Sequence, residues 1–222
     1  MFISPDNDSA FAEDDTPGRS KAMFVADCAA LDFLNSIRAP GPTQVEWLAN
    51  GEDLLSWMQE ASLLTQAEAV QIRSASPPLE LDEVAHKARN LREWFRAFAT
   101  KHMGQRMTAE ALTELSVLND LLPGVATFSE VVSVEAGNGS AGLAMKRLRA
   151  WTSPDNLLSL LAEEVAKAIC ESRFSLIKKC ESSNCTMLFH DTTKGHARRW
   201  CSMSLCGNRA KQAAMRARRR GR

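Results

Sequence analysis

The chain has 222 residues, 45% hydrophobic and 24% charged, a composition that excludes a disordered or low-complexity protein and leaves room for one ordinary domain with a small appendage. Its 27 basic and 27 acidic side chains cancel only in total. Glu171 to Arg222 holds 13 basic and 3 acidic residues, net +10, whereas the first 170 residues hold 14 and 24, net −10.

Met1 to Ser20 carries Asp6, Asp8, Glu13, Asp14 and Asp15, with neither a basic n-region nor an apolar h-region. Residues 1–21 therefore read as a disordered acidic leader, and the expected location is the cytoplasm, where thiols stay reduced. No membrane partner is expected.

Residues 22–172 read as a mainly helical domain with one β-hairpin. Ala26 to Arg38 has helical spacing and is stopped by Ala39-Pro40-Gly41-Pro42. Gly51 to Leu63 aligns Leu54, Leu55, Met58 and Leu63, with Trp57 added to the same face. Thr65-Gln-Ala-Glu68 is a capping box opening a helix that ends near Ser76-Pro77-Pro78.

Leu79 to Met103 places Val84, Ala88, Leu91, Phe95 and Phe98 on one stripe of a long amphipathic helix. Arg92 and Arg96 next to Glu93 read as a surface face of it, and His86 and His102 as solvated. A helix capped by Thr108 should run to Leu122 and close at Pro123-Gly124. Thr127–Glu135 and Leu143–Trp151 then switch to alternation around Gly137-Asn-Gly-Ser140, the pattern of an antiparallel hairpin. Ser153-Pro154-Asp155 opens a last helix with Leu157, Leu160, Leu161, Val165, Ala168 and Ile169 buried. Cys28 and Cys170, isolated on apolar faces, read as core. The helix should hand the chain to residues 173–222 near Arg173 to Lys179 with little linker.

There, Cys180-x4-Cys185 and Cys201-x4-Cys206 form two close pairs separated by fifteen residues. Thiolates bind Zn2+ strongly, and paired cysteines joined by a longer loop complete a tetrahedral shell. Four sulfurs close the shell, so the zinc is expected to fold the segment and do no chemistry. Ordinary buried or disulfide-bonded cysteines and an iron-sulfur cluster are the alternatives. His190 and His196 could replace a ligand but read better as loop surface or phosphate contacts.

Nine Lys or Arg and no acid follow from Ala197 to Arg222. From Leu205 to Arg220 the spacing predicts a helix with Ala210, Ala213, Ala214 and Ala217 on a narrow face and Arg209, Arg216 and Arg220 on a neighbouring stripe. Lys211, Arg218 and Arg219 lie alongside. Lys194, His196, Arg198 and Arg199 in the loop join them as candidate nucleic-acid contacts, DNA first and RNA second. A single finger has a small footprint, so specific binding would call for a homodimer.

The run Cys180-Glu-Ser-Ser-Asn-Cys185, with Leu188-Phe-His-Asp-Thr-Thr193, Arg198-Arg-Trp-Cys-Ser-Met203 and Cys206-Gly-Asn-Arg-Ala-Lys211, resembles the CGNR-type zinc finger. Upstream, Leu31-Asp-Phe-Leu-Asn-Ser36 and Leu54-Leu-Ser-Trp57 are similar to the ABATE domain, with Ser36 where Thr is expected. The resemblance implies a bacterial, stress-linked transcription regulator; the expected function is a DNA-binding regulator in which the acidic N-terminal domain senses a ligand or partner.

Asp32, Asn35, Ser36 and Arg38 put polar groups around an apolar helix. They could line a ligand pocket or, as the favoured reading, form a hydrogen-bond network that holds the domain together, with Arg38 able to pair with Asp32. The sequence contains no phosphate-binding glycine loop, nucleophile elbow or His-Glu-x-x-His motif, and no enzyme activity is expected. A zinc-stapled module for RNA or an acidic protein is the alternative function, with an enzyme whose site surrounds Asp32 as the third.

Overall fold

The long amphipathic helix expected over Leu79 to Met103 is the spine of the N-terminal domain, running from Pro78 to His102 as α4 in the computed structural model. The structure describes residues 22–38, 45–135, 141–171 and 174–220. Leu81, Val84, Ala88, Leu91, Phe95 and Phe98 are all buried along α4, as their spacing requires. The leader, the Ala39–Pro42 stop, the Gly137–Ser140 turn and Arg173 lie outside the described residues.

Three helices pack on α4: α1 (Ala29–Leu34), α2 (Gly51–Glu60) and α6 (Asn156–Cys170). Trp47, Trp57, Phe33 and Phe95 fill the space between them and are almost fully buried. Residue 51 must be small because a Cβ there would sit 2.3 Å from that of Leu81. Its amide donates to Asp82 Oδ1 at 2.8 Å, tying α2 to α4. Helix α3 (Gln66–Ala75) begins at the expected capping box, with both reciprocal bonds between Thr65 and Glu68 present.

Strands β3 (Ala126–Glu135) and β4 (Ala141–Ala150) pair antiparallel from Ala126↔Ala150 to Glu135↔Ala141, as the alternation predicted. The hairpin stands largely outside the core, with Val131, Leu143 and Met145 exposed.

Several expectations are corrected. The first helix is shorter because Asp27 takes a left-handed φ of 54° and Asp32 Oδ1 accepts the amides of Val25 and Ala26, bending the chain ahead of Ala29. Beyond it, β1 (Ile37–Arg38) pairs with β2 (Val45–Glu46). Thr108 makes no side-chain cap, and its segment divides into a 3-10 turn (Ala109–Glu114) and α5 (Ser116–Leu121). The last helix starts at Asn156, whose Oδ1 accepts the Thr152 and Ser153 amides. Cys170 is exposed, and Cys28 is half-buried.

Arg92 is the largest correction. Its side chain is 2% exposed and makes a bidentate pair with Glu46 on β2, both bonds 2.7 Å, while also donating to Ser36 Oγ. Burial alone would push Glu46 up, but Arg92 holds the carboxyl below its ordinary range. His102 is not solvated either; it packs on Phe98 and lies 3.2 Å from Glu114. His86 is exposed, as expected.

Candidate metal centre

Strands β5 (Ile177–Lys179) and β6 (Leu188–His190) form a short antiparallel hairpin, and their connection carries the first cysteine pair. Cys180 N–H donates to Met187 O and Cys185 N–H to Ser182 O, each at 3.0 Å, folding the connection into a knuckle. The second pair is presented by a π-helical turn (Met203–Gly207) capped by Ser202, which runs into α7 (Asn208–Arg220). Glycine suits position 207, where a Cβ would stand 2.7 Å from the Met203 sulfur.

All four cysteines are buried, and their sulfurs lie within 4.8 Å of one another. Cys201 Sγ is 3.8 Å from Cys185 Sγ and 3.6 Å from Cys206 Sγ. A tetrahedral ion with metal–sulfur bonds of about 2.3 Å needs sulfurs about 3.8 Å apart, which these two separations match. A hydrogen bond with Cys201 holds the Cys185 thiol down at about 5 and pushes Cys201 up. Four like groups this close cannot all ionise without a cation among them.

Two polar contacts fine-tune the cage. Cys201 N–H points at Cys180 Sγ from 3.4 Å, and Arg209 Nη2 donates to Cys206 Sγ at 3.1 Å. Arg209 also donates to Leu205 O, so this arginine faces the cage rather than standing free.

The loop between the pairs is organised by Asp191, a residue to which the sequence reading gave no role. It is wholly buried and accepts from Lys178 Nζ (2.7 Å), Thr193 Oγ1 (2.6 Å), Thr193 N (3.1 Å) and Arg198 N (3.0 Å). Burial raises its pKa, but these donors outweigh it and hold the carboxyl below the usual range. The available signal was a lone acid in an otherwise basic loop.

Arg198 was a candidate nucleic-acid contact, yet it is bonded inside the protein. Its guanidinium donates to Asp27 Oδ2 (2.6 Å), Val25 O (2.7 Å), Trp200 O and Cys201 O while lying over the Phe189 ring. Asn35 complements it: its amide donates to Leu188 O (2.7 Å) and accepts from Leu188 N (3.1 Å). His190 N–H donates to Ala26 O. The finger is thereby sewn to the first described segment of the N-terminal domain.

Asp32, Asn35 and Ser36 are buried and bonded to Val25, Ala26, Leu188 and Arg92, the internal network favoured from sequence. The Arg38 side chain lies outside the described residues. Burial pushes the Asp32 carboxyl up to about 6.

Lys194, Lys211, Arg216, Arg218, Arg219 and Arg220 are exposed. Arg199 pairs with Glu181 at 2.6 Å and lies over Trp200. His196 is exposed, with a left-handed φ of 44° and its Nδ1 3.1 Å from Asp191 O. His190 is half-buried, and its Nε2 finds no partner among the described residues. No helix among the described residues is long and apolar enough to cross a membrane.

The ABATE family model, described as "Putative stress-induced transcription regulator", matches residues 27–172, well over half the chain. The protein belongs to the ABATE family. A second model, "CGNR zinc finger", matches residues 177–219 and takes in all four cysteines and most of α7. No curated protein matches the chain. In this ABATE protein the two matches follow the order of helical domain and cysteine cage, and they make it a zinc-finger member of a regulator family.

Proposed function

We propose that this ABATE protein is a cytoplasmic DNA-binding transcription regulator in which a structural Zn2+ held by Cys180, Cys185, Cys201 and Cys206 orients α7 against the duplex. The observation that carries the reading is α7 itself. Over thirteen residues it buries nothing, and it carries six cations and no acid, all but Arg209 clear of the cage. A helix that contributes no core surface is retained for what it touches outside the protein, and its charge selects phosphate. Four thiolates at tetrahedral spacing favour zinc and leave no open position for catalysis.

Lys211, Arg216, Arg218, Arg219 and Arg220 would engage phosphates, with Lys194 and Arg199 extending the contact from the loop. Arg209 and Arg198 act by positioning, one against the cage and the other at the seam with the N-terminal domain. An effector would reach that domain through an open cavity of about 900 Å3 between α3, the hairpin and α6, lined by Gln71, Phe128, Arg147, Arg149 and Trp151. The unpartnered Trp151 Nε1 and Arg147 offer donors there, while Arg149 is already bonded to Glu68 and Glu163 adds a second carboxylate, so the cavity suits a ligand with an aromatic or acyl body and both acceptor and donor groups. Loss of an effector's influence on duplex affinity in Arg147→Ala checks that assignment.

The test of the whole reading is selection of genomic DNA fragments by the zinc-loaded protein at about physiological salt, with Cys201→Ser as control. One enriched motif, absent from the control, is the expected result. Uniform recovery from all fragments would reduce α7 to a phosphate binder, and preference for folded RNA or an acidic protein would replace DNA as the partner.

A further inference from the structure

The basic helix α7 begins beside the first described residues of the chain. None of its six cations pairs with a carboxylate among the described residues. Met23, almost the first described residue, lines a cavity of about 310 Å3 together with Leu205, Cys206 and Arg209, so the leader departs beside the start of the basic helix. Met1 to Gly18 contains five acids and no Lys or Arg.

We propose that the acidic leader, residues 6–15, lies against α7 of the same chain and competes with polyanions for it. The inference rests on α7 being a phosphate-binding surface and adds a built-in competitor to that surface.

Reach permits the contact. Asp15 is seven residues before Ala22, about 24 Å of extended chain at about 3.4 Å per residue, whereas thirteen helical residues span about 20 Å. Glu13, Asp14 and Asp15 can therefore meet the far cluster at Arg216 to Arg220, and Asp6 and Asp8 can fold back toward Lys211. Each exposed ion pair is weak. Several formed together on a short tether, at an effective concentration of about 1 mM, are enough to hinder a ligand while leaving it able to displace the leader. Screening limits the effect to modest ionic strength, because the Debye length shrinks from about 10 Å at 0.1 M salt to about 3 Å at 1 M.

Zero-length carbodiimide coupling of the full zinc-loaded chain reads the contact without any nucleic acid. Lys211 offers the one side-chain amine of α7. The expected product joins Lys211 to a carboxyl among residues 6–15, within single chains in a mixture of light and heavy-isotope protein, and fades at about 0.5 M salt. Absence of that product, or its formation only between chains, would overturn the proposal. The combined variant D6N/D8N/E13Q/D14N/D15N should bind a mixed-sequence duplex or a heparin oligosaccharide about five- to tenfold tighter at about 50 mM salt, with the gain lost at high salt. Equal affinity of variant and parent would also overturn it. Intrachain coupling in a protein that binds no duplex would uphold this contact and defeat the DNA-binding reading instead.

Discussion

The N-terminal domain and the finger are held together in opposite ways. The first closes over a core of Trp47, Trp57, Phe33, Phe95 and the buried leucines of α1, α2, α4 and α6. The second has Phe174, Ile177, Met187, Leu188 and Phe189 as its main apolar mass and relies on the cysteine cage, the Asp191 hub and its seam with the domain. The contrast shows that a small segment can take its fixed points from a cysteine cage and a larger neighbour rather than from a core of its own size. It also predicts that damage to one region spreads unequally into the other.

Chelation separates them most sharply. Structural zinc contributes on the order of 10 kcal/mol or more to a finger's folding, so its removal should unfold residues 177–219 and weaken duplex binding at least about 100-fold. The helices of the N-terminal domain should survive, giving a small change in far-ultraviolet circular dichroism beside a large change in binding. Concerted loss of the whole helical signal would break the comparison.

Inside the domain the most sensitive polar site is the Arg92–Glu46 pair. Arg92→Ala leaves Glu46 and Ser36 without their donor and should cost about 3–5 kcal/mol in denaturant unfolding. The paired replacement Arg92→Met with Glu46→Gln should recover much of that loss, whereas a surface pair would show neither effect.

Next comes the seam. Asn35→Ala removes both bonds to Leu188 and should cost about 2–4 kcal/mol, since each buried group left unpaired costs about 1–3. Hydrogen exchange should accelerate on β6 and the Val25–Ala26 segment together, with little change in α2.

The smallest effect is a gain. The Asp32 carboxyl titrates near 6 in the folded protein against an ordinary value of 3.8, so the folded state holds a proton that the unfolded chain releases between those values. Stability from this group is therefore present at low pH and lost as pH rises through about 6. Asp32→Asn keeps an oxygen for the Val25 and Ala26 amides. It should stabilise by up to about 3 kcal/mol at pH 8 and by nothing near pH 3, as read from melting curves across that range.

What the sequence revealed follows the range of the interactions involved. The capping box, the stripe on α4 and the β3–β4 alternation are local patterns, and the cysteine spacing carries its own chemistry, so these were legible. Asn35 and Arg198 act through partners more than 150 positions away, which no local pattern encodes. Arg92 lay within reach of pattern reading, four residues after Ala88 and three before Phe95 on the buried stripe. Its charge outweighed its position, and its partner Glu46 sits 46 residues earlier.

The seam also bears on how the chain is made. Ala26, Asp27 and Asn35 bond to groups 153 to 171 residues further along, so the earliest part of the domain leaves the ribosome long before its partners exist. Until the finger emerges and folds, the Ala26 carbonyl, the Asn35 amide and the exposed side of α1 must wait on solvent or chaperones. A ribosome stalled before Leu188 would carry a domain with its helices in place and one edge unfinished. Emergence of the finger therefore governs the completion of both modules.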